Sequence, residues 1–396
     1  MSFFKLQGHW NYCLIIIAIA FQLYGVQCRP GITYDSKQYL SSAHSFSKNR
    51  QLLNEKGIPH LAHTPLYAVT LSLLGANRLQ WSKYLNTICL TITLLVFIYL
   101  GNQVLQNSAF QWLFAIGLVT ATPLQLIHHF IWSEPLFVSF LAVLLILFHR
   151  FLKNANPRLF WGMMLPGFLM CLQRNPGIFI LLGVALGLYW FAKVNPWKVI
   201  VFTLISTSGW IAWTIYTFQT NQQEIQPAFH NVLGELLMRH NLDHHLNVLS
   251  SWFMPLTISL TIRSVLVIAS SVLLTVLAVY WRIQLSKFIK TLLIISFVYI
   301  ICLQFTERVD YHETTRYLAI VFPLVFLVIF QLVELLTKHF SNNISQAFKI
   351  MLLLWLLYPI GRTWKNVTFW HQIRCKENLL KMDISYYKPE AFELKN

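Results

Sequence analysis

The sequence predicts an all-α, polytopic membrane protein. Hydrophobic residues make up 56% of the chain and charged residues only 11%, whereas about 25% of the residues in a soluble domain are charged. The apolar residues also fall into long runs, and about 20 apolar residues are what a helix needs to cross the hydrocarbon core of a bilayer. One membrane domain with connecting loops is therefore the simplest interpretation of the chain.

The apolar runs predict about eleven transmembrane helices. The run at 64–75 is too short to cross, so we expect an interfacial or re-entrant helix there. The predicted membrane domain covers 1–361 and leaves a short C-terminal tail at 362–396. The eleven runs lie at 10–27, 84–105, 108–128, 134–152, 158–173, 176–193, 198–219, 264–281, 288–305, 316–336 and 347–361.

The positive charges predict the orientation of these helices. Lys and Arg are about twice as frequent in the loops on the side of the N-terminus as in most of the opposite loops, which places the N-terminus inside. Two large loops then lie outside, and we call 28–83 the first outer loop and 220–262 the second outer loop. The first outer loop and the C-terminal tail are themselves basic, which counts against this orientation.

The net charge of +16 is typical of a protein that lies against anionic lipid. Lys and Arg total 30 against 14 Asp and Glu, and membrane proteins collect basic residues at the ends of their spans. We therefore expect membrane lipid and no nucleic acid among the partners. The six cysteines are scattered and include no CxxC pair, so they predict neither a zinc site nor a disulfide framework.

Asp35 is the first candidate for chemistry, because it is an acidic residue near the start of the first outer loop. A carboxylate there can take a proton from a hydroxyl or amine if its position and pKa are suitable. The alternative is a helix N-cap, since Asp is a good cap and a helix-like stretch, 36–46, follows directly. The sequence supports both interpretations equally. Tyr39, Leu40 and Ala43 are spaced as one face of that helix.

Glu134 is the second candidate, at the first position of a predicted span. A carboxylate at that depth is costly unless it is exposed or used. The alternative is that Glu134 only stabilises a helix N-terminus through its negative charge. His128 and His129 precede it and leave open a metal site, although histidines exposed at the interface are commoner.

Several short motifs follow one another along the chain between residues 30 and 325. Together they resemble the GT-C glycosyltransferases, and most closely the group of dolichyl-phosphate-mannose protein mannosyltransferases and aminoarabinose transferases. Ser36 stands where many relatives carry a second acidic residue, and the part after the last span is short. The motifs are Asp35-Ser36 with Tyr39-Leu40 and Ala43, Thr64-Pro65-Leu66-Tyr67, Ser133-Glu134-Pro135-Leu136, Gln173-Arg174-Asn175-Pro176-Gly177, and Arg316-Tyr317-Leu318 with Pro323.

The resemblance implies transfer of a sugar from a polyprenyl-phosphate-linked donor to a lipid, glycan or protein acceptor. The reaction would take place on the outer face, with inversion at the anomeric carbon and without a nucleotide-sugar pocket. Asp35 would act as the general base, and Glu134 would support the site or a divalent metal ion. The leaving group would be a lipid phosphate, which needs cations near the membrane plane.

Arg174 and Arg316, at the outer ends of spans, would bind this phosphate, because a guanidinium fork can hold two of its oxygens. The alternative for each is an ordinary arginine that reaches the interface. The substrate-binding candidates also include Tyr39, Tyr67 and Lys37, with Arg263 and Arg308 in reserve.

Two polar loops contain further clusters. His240 and His244 are four residues apart, so a helix would bring both to one face beside Asp243, which is the spacing of metal ligands. The alternative is a solvated helix that covers the donor lipid, and a divalent metal ion stays an open expectation. The acidic loop at 306–315 either lines an acceptor cleft or is simply solvated; it carries Glu307, Asp310, His312 and Glu313.

A lipid-linked sugar flippase or other transporter is the main alternative function. Transporters place charges at mid-membrane and often repeat their halves, whereas the charges here lie at span ends and no repeat is visible. A polysaccharide polymerase or ligase is a further alternative that differs mainly in the acceptor. The expected location is the plasma membrane with an outward-facing site, or the endoplasmic reticulum membrane in a eukaryote.

Overall fold

The computed structural model describes residues 10–220, 239–304 and 311–376, and helices dominate all three ranges. Extended pairing in these ranges is limited to two isolated bridges, so the all-α prediction is confirmed. Seven described helices are long and apolar enough to cross a membrane, or eight if one bent pair counts as a span. The chain is an integral, multi-pass membrane protein, while the count of about eleven spans is not confirmed.

The first part of the chain forms the first outer loop and three of the long spans. The 64–75 run forms a helix of only seven residues, as its length predicted. Spans are formed by α4, by α5 with α6, and by α7. The helices are α1 (Trp10–Gly25), α2 (Tyr34–Asn49), α3 (Leu66–Ser72), α4 (Arg78–Val104), α5 (Ser108–Val119), α6 (Thr122–His128) and α7 (Glu134–Asn154).

The second part contains the remaining long spans and several shorter helices. Two helices, α15 and α16, form the bent pair, with an angle of 55° at their junction. The helices are α8 (Pro157–Gly162), α9 (Met164–Gln173), α10 (Gly177–Trp190), α11 (Pro196–Thr220), α12 (Arg239–Ser251), α13 (Leu260–Tyr280), α14 (Lys287–Gln304), α15 (Tyr311–Ala319), α16 (Phe322–Thr337) and α17 (Asn342–Lys376).

Helix lengths explain why fewer long spans are found than the sequence predicted. The apolar helix α10 has only 14 residues, the part of α1 that the structure describes has 16, and the 158–173 run is divided between α8 and α9. At the other end of the chain, α17 continues for 35 residues. It therefore passes through position 361, where the sequence predicted that the membrane domain gives way to a tail.

One large apolar core holds the helices together, and the outermost helices face away from it. Fully buried side chains such as Phe97, Phe137 and Phe148 belong to this core. On α13, by contrast, Leu273 is 57% and Val279 is 71% exposed. A continuous outward apolar surface of this kind is what a lipid environment accommodates, so α13 is a lipid-facing helix.

The first outer loop is an ordered unit that packs against the ends of the spans. α2 and α3 share a small apolar cluster in which Tyr39, Ala43 and Tyr67 are buried and Leu40 is partly buried. The helical face predicted from Tyr39, Leu40 and Ala43 is thus confirmed. A short bridge ties the loop to the segment before α7, since the Gly31 amide donates to the His129 carbonyl at 2.8 Å.

A disulfide joins Cys28, after α1, to Cys375, in the last turn of α17. The prediction that the cysteines form no disulfide is therefore wrong. The two residues are 347 positions apart, and no local spacing relates them. They meet because α17 returns alongside α1, which brings their Cα atoms to 5.4 Å.

Candidate active site

Asp35 lies in the first turn of α2 and is not its N-cap. The helix begins at Tyr34, with Thr33 as the N-cap, and the Thr33 amide donates to Ser36 Oγ at 2.9 Å. The N-cap interpretation of Asp35 is therefore wrong. Its carboxylate instead accepts a hydrogen bond from Arg316, with 2.8 Å between Oδ2 and Nη1.

Glu134 is fully buried at the start of α7, between the two arginines that the sequence singled out. Its Oε1 lies 2.6 Å from Arg174 Nη1 and 2.8 Å from Arg316 Nε. A buried carboxylate is costly unless it is paired, and two guanidinium groups offset that cost here. Asp35, Glu134, Arg174 and Arg316, predicted separately from four segments, thus form one ion-pair cluster.

Aromatic rings and a hydroxyl fix the positions of the two guanidinium groups. The Arg316 guanidinium lies 4.3 Å from the centre of the Trp132 ring, and that of Arg174 lies 4.8 Å from the Tyr317 ring. Arg174 Nη1 also donates to Ser133 Oγ at 2.8 Å. Cation–π contacts of this kind orient the planar group as well as stabilise it, so both arginines are held in defined positions.

A cavity of about 250 Å³ opens beside the cluster, and its lining includes Asp35, Tyr39, His63, Gln173, Arg174 and Tyr317. The Asp35 side chain is 23% exposed, whereas that of Glu134 is 0% exposed. A ligand in the cavity can therefore touch the carboxylate of Asp35. Glu134 can act on such a ligand only through the arginines that it positions.

His63 is a cavity residue that the sequence analysis missed. Its Nε2 lies 3.8 Å from Asp35 Oδ1, and its ring centre lies 4.8 Å from that of Tyr39. Burial, joined by the charges of Arg174 and Arg316, lowers the pKa of His63 to about 4, so the ring is neutral near pH 7. The signal in the sequence was its position directly before the Thr64-Pro65 motif.

The carboxyl of Asp35 is ionised at neutral pH. Burial by itself raises its pKa, but the positive charge of Arg316 in direct contact outweighs burial, and the pKa lies below its ordinary value. An opposite charge in direct contact favours the ionised form of a carboxyl in this way. Asp35 is thus a carboxylate ready to accept a hydrogen bond or a proton from a molecule in the cavity.

The other predicted substrate-binding residues occupy different environments. The Tyr39 hydroxyl lies 3.2 Å from Ser133 Oγ and lines the cavity. Tyr67 is fully buried and packs edge-on against Tyr39, with 4.9 Å between ring centres, so its influence on a ligand passes through Tyr39. Lys37 is absent from the cavity lining. It stands two positions from Asp35 and from Tyr39 on α2, and residues two apart on a helix do not share a face.

The predicted metal ligands are not assembled in the described part of the chain. Across residues 10–220, 239–304 and 311–376, no three His, Cys, Asp or Glu side chains come together as a metal site. Asp243 and His244 lie on α12 and are partly buried, while the side chain of His240 lies outside the described residues. His128 is buried and its Nδ1 lies 2.7 Å from the Leu124 carbonyl, and His129 packs on Gly25.

Of the remaining candidates, the structure describes Arg263 and Glu313. Arg263 joins α12 to α13, because it donates to Asn247 Oδ1 at 2.8 Å and to Ser250 Oγ at 3.0 Å. Glu313 is partly buried on α15. The predicted cleft residues Glu307 and Asp310, the reserve residue Arg308 and the side chain of His312 lie outside the described residues.

The chain has the GT-C fold of membrane glycosyltransferases. Among solved structures, it is similar to ArnT from Cupriavidus metallidurans bound to undecaprenyl phosphate, with a TM-score of 0.57 and 12% identity. That match covers 96% of this chain and 68% of ArnT. The resemblance predicted from the motifs is thus confirmed at the level of the fold.

Two further structures share this fold. Arabinosyltransferase EmbB from Mycobacterium smegmatis has a TM-score of 0.52 and 11% identity, over 96% of this chain and 42% of EmbB. The oligosaccharyltransferase AglB from Archaeoglobus fulgidus, in complex with an inhibitory peptide and a dolichol-phosphate, has a TM-score of 0.50 and 11% identity, over 99% of this chain and 60% of AglB. No protein-family model and no curated protein matches the chain.

Proposed function

We propose that the chain is a membrane glycosyltransferase that moves a sugar from a polyprenyl-phosphate-linked donor to an acceptor. The observation that carries this proposal is one cavity of a GT-C fold that Asp35 and Arg174 line, with Arg316 paired to Asp35. Bound undecaprenyl phosphate in ArnT and dolichol-phosphate in AglB support the class of donor. The acceptor is a lipid, glycan or protein that presents a hydroxyl or an amine.

The proposed reaction is a direct displacement with Asp35 as general base. Asp35 takes the proton of the acceptor while the acceptor atom bonds to the anomeric carbon. The bond from that carbon to the phosphate oxygen breaks, its electron pair leaves with the polyprenyl phosphate, and the anomeric carbon is inverted. Arg174 and Arg316 stabilise the charge that develops on the phosphate, which fixed cations do most effectively at a site with little water.

Glu134 has a positioning role in this proposal. It is fully buried and contacts both arginines, so it fixes where the phosphate-binding groups stand without touching the substrate. Tyr39 and Gln173 line the same cavity and are proposed to contact the sugar or the acceptor. Tyr39, Glu134, Gln173 and the two arginines come from four separate segments of the chain, which meet only when the chain has folded.

The disulfide supports an outward-facing site. Disulfides persist in oxidising compartments outside the cytosol, and Cys28 stands only a few residues before the segment that leads into α2 and Asp35. We therefore propose that the cavity faces the outside of a plasma membrane, or the lumen of the endoplasmic reticulum in a eukaryote.

Turnover of a radiolabelled polyprenyl-phosphate sugar by the purified protein in lipid vesicles tests the proposal. The wild type is expected to transfer the label, and Asp35→Asn is expected to lose transfer while its thermal midpoint stays near that of the wild type. Glu55→Gln removes a negative charge at an exposed position of the same loop and is the matched control that should keep activity. Full turnover by Asp35→Asn would rule out Asp35 as the base.

A further inference from the structure

The two arginines proposed to bind the donor phosphate are already paired within the chain. Arg316 contacts both Asp35 and Glu134, and Arg174 contacts Glu134. Two carboxylates thus balance two guanidinium groups in direct contact. The carboxylates also occupy the same N–H groups that a phosphate would use, since carboxylate and phosphate bind a guanidinium in similar geometry.

The two carboxylates differ in how easily they can leave. Glu134 is fully buried and pairs with two arginines, so moving it would leave an unpaired buried charge. Asp35 contacts a single nitrogen of Arg316, is 23% exposed and lines the cavity. A partly exposed ion pair contributes little to stability, so Asp35 is the member of the cluster that a bound anion can displace.

We infer that the donor phosphate takes the place of Asp35 on Arg316 and that this exchange releases Asp35 toward the acceptor. The inference rests on the proposed function and adds an order of events to it. Arg316 itself stays in place during the exchange, because Glu134 holds its Nε at 2.8 Å and the ring of Trp132 lies 4.3 Å from the guanidinium carbon. Among the described residues, the exchange requires only the Asp35 side chain to move.

The exchange would make the base stronger when the donor is present. The charge of Arg316 keeps the pKa of Asp35 below its ordinary value, against the opposing effect of burial. A phosphate on Arg316 offsets that charge, and the pKa of Asp35 then rises. His63 and Arg174 are the other charged or titratable groups that act on Asp35, and neither has to move. The acceptor would therefore be deprotonated efficiently only after the donor has bound.

Binding of undecaprenyl phosphate without a sugar isolates the exchange from the chemistry. The full chain in lipid nanodiscs is titrated with this ligand, and the dissociation constant is measured for wild type and Asp35→Asn. Because Asp35→Asn removes the competing carboxylate, we expect binding about tenfold tighter, which corresponds to about 1.4 kcal/mol. An unchanged dissociation constant in Asp35→Asn would overturn the inference.

A double-mutant cycle tests whether the gain passes through Arg316. In an Arg316→Gln background, Asp35→Asn should change the affinity by less than about twofold, because the contested group is gone. An equal gain in both backgrounds would overturn the exchange in favour of a general effect of charge. Glu55→Gln, which removes a charge from the same loop but outside the cavity lining, should leave the affinity unchanged.

A comparison of ligands keeps the test decisive if Arg316→Gln fails to fold. Undecaprenol carries the same chain without a phosphate, so Asp35→Asn should not improve its binding, and an equal gain for the alcohol would contradict the exchange. If the wild type transfers sugar while Asp35→Asn binds the phosphate no more tightly, the exchange is wrong and the proposed function stands. If the wild type does not bind the phosphate at all, both are wrong.

Discussion

Arg316 Nη1 lies 2.8 Å from Asp35 Oδ2 and joins two residues that are 281 positions apart. The contact links the bent pair α15–α16 to the first turn of α2. It also links the proposed base to a proposed phosphate ligand, since Glu134 holds the same arginine from the other side. The acidic and basic parts of the candidate site are therefore one connected unit, and a change in either part should affect the other.

Arg316→Lys should lower kcat/KM for sugar transfer by at least about tenfold, because an ammonium cannot reproduce the planar fork that reaches both Asp35 and Glu134. Steady-state kinetics with a labelled donor would measure this. Arg50→Lys, at an exposed position at the end of α2, is the matched control and should behave as wild type. Transfer within about twofold of wild type in Arg316→Lys would show that charge alone is sufficient.

Glu134→Gln should destabilise the protein more than Asp35→Asn. Removing one partner of a buried ion pair costs about 3–5 kcal/mol because the remaining charge stays buried, and Glu134 is fully buried with two cationic partners. Asp35 is partly exposed, so solvent offsets most of its loss. Thermal unfolding of both variants in one detergent would compare them, and equal midpoints would contradict the difference in burial.

The pH dependence of stability should carry a contribution from His63. Burial lowers the pKa of His63 in the folded chain to about 4, below its ordinary value of 6.5. Between these pH values the unfolded chain binds the proton and the folded chain does not, so stability falls as the pH drops from 6.5 to 4.

His63→Gln should reduce this decline of the thermal midpoint between pH 6.5 and pH 4. The comparison is made by thermal unfolding at a series of pH values. His44→Gln, exposed on α2, is the matched control and should leave the decline unchanged. A decline of the same size in His63→Gln and in wild type would show that the burial of His63 does not oppose its protonation.

Reduction of the Cys28–Cys375 disulfide should lower the thermal midpoint, because the bond ties α1 to the end of α17 across 347 positions. Disulfides typically contribute about 2–4 kcal/mol. Cys28→Ala should reproduce the effect of reductant, whereas Cys13→Ala, at an exposed free cysteine, should not. Labelling of Cys375 by a thiol reagent in unreduced wild-type protein would contradict the disulfide.

Local features of this protein were determined by the sequence alone. Apolar runs predicted helices at the correct places because hydropathy and helix length act within one segment. The buried face of α2 followed from the spacing of Tyr39 and Ala43. The motifs also singled out Asp35, Glu134, Arg174 and Arg316 before any of their contacts was visible. Glu134, Arg174 and Arg316 stand at the ends of apolar runs, and Asp35 lies in the loop that follows the first run.

The tertiary structure decided which of these residues meet and what each can do. Asp35 and Glu134 looked alike as acids near span ends, but packing leaves one carboxylate at a cavity and buries the other completely. His63 reaches Asp35, and Cys28 reaches Cys375, only because separate segments of the chain return to the same place. Such pairings depend on how helices pack across the whole chain, and hydropathy and periodicity carry no information about contacts between distant segments.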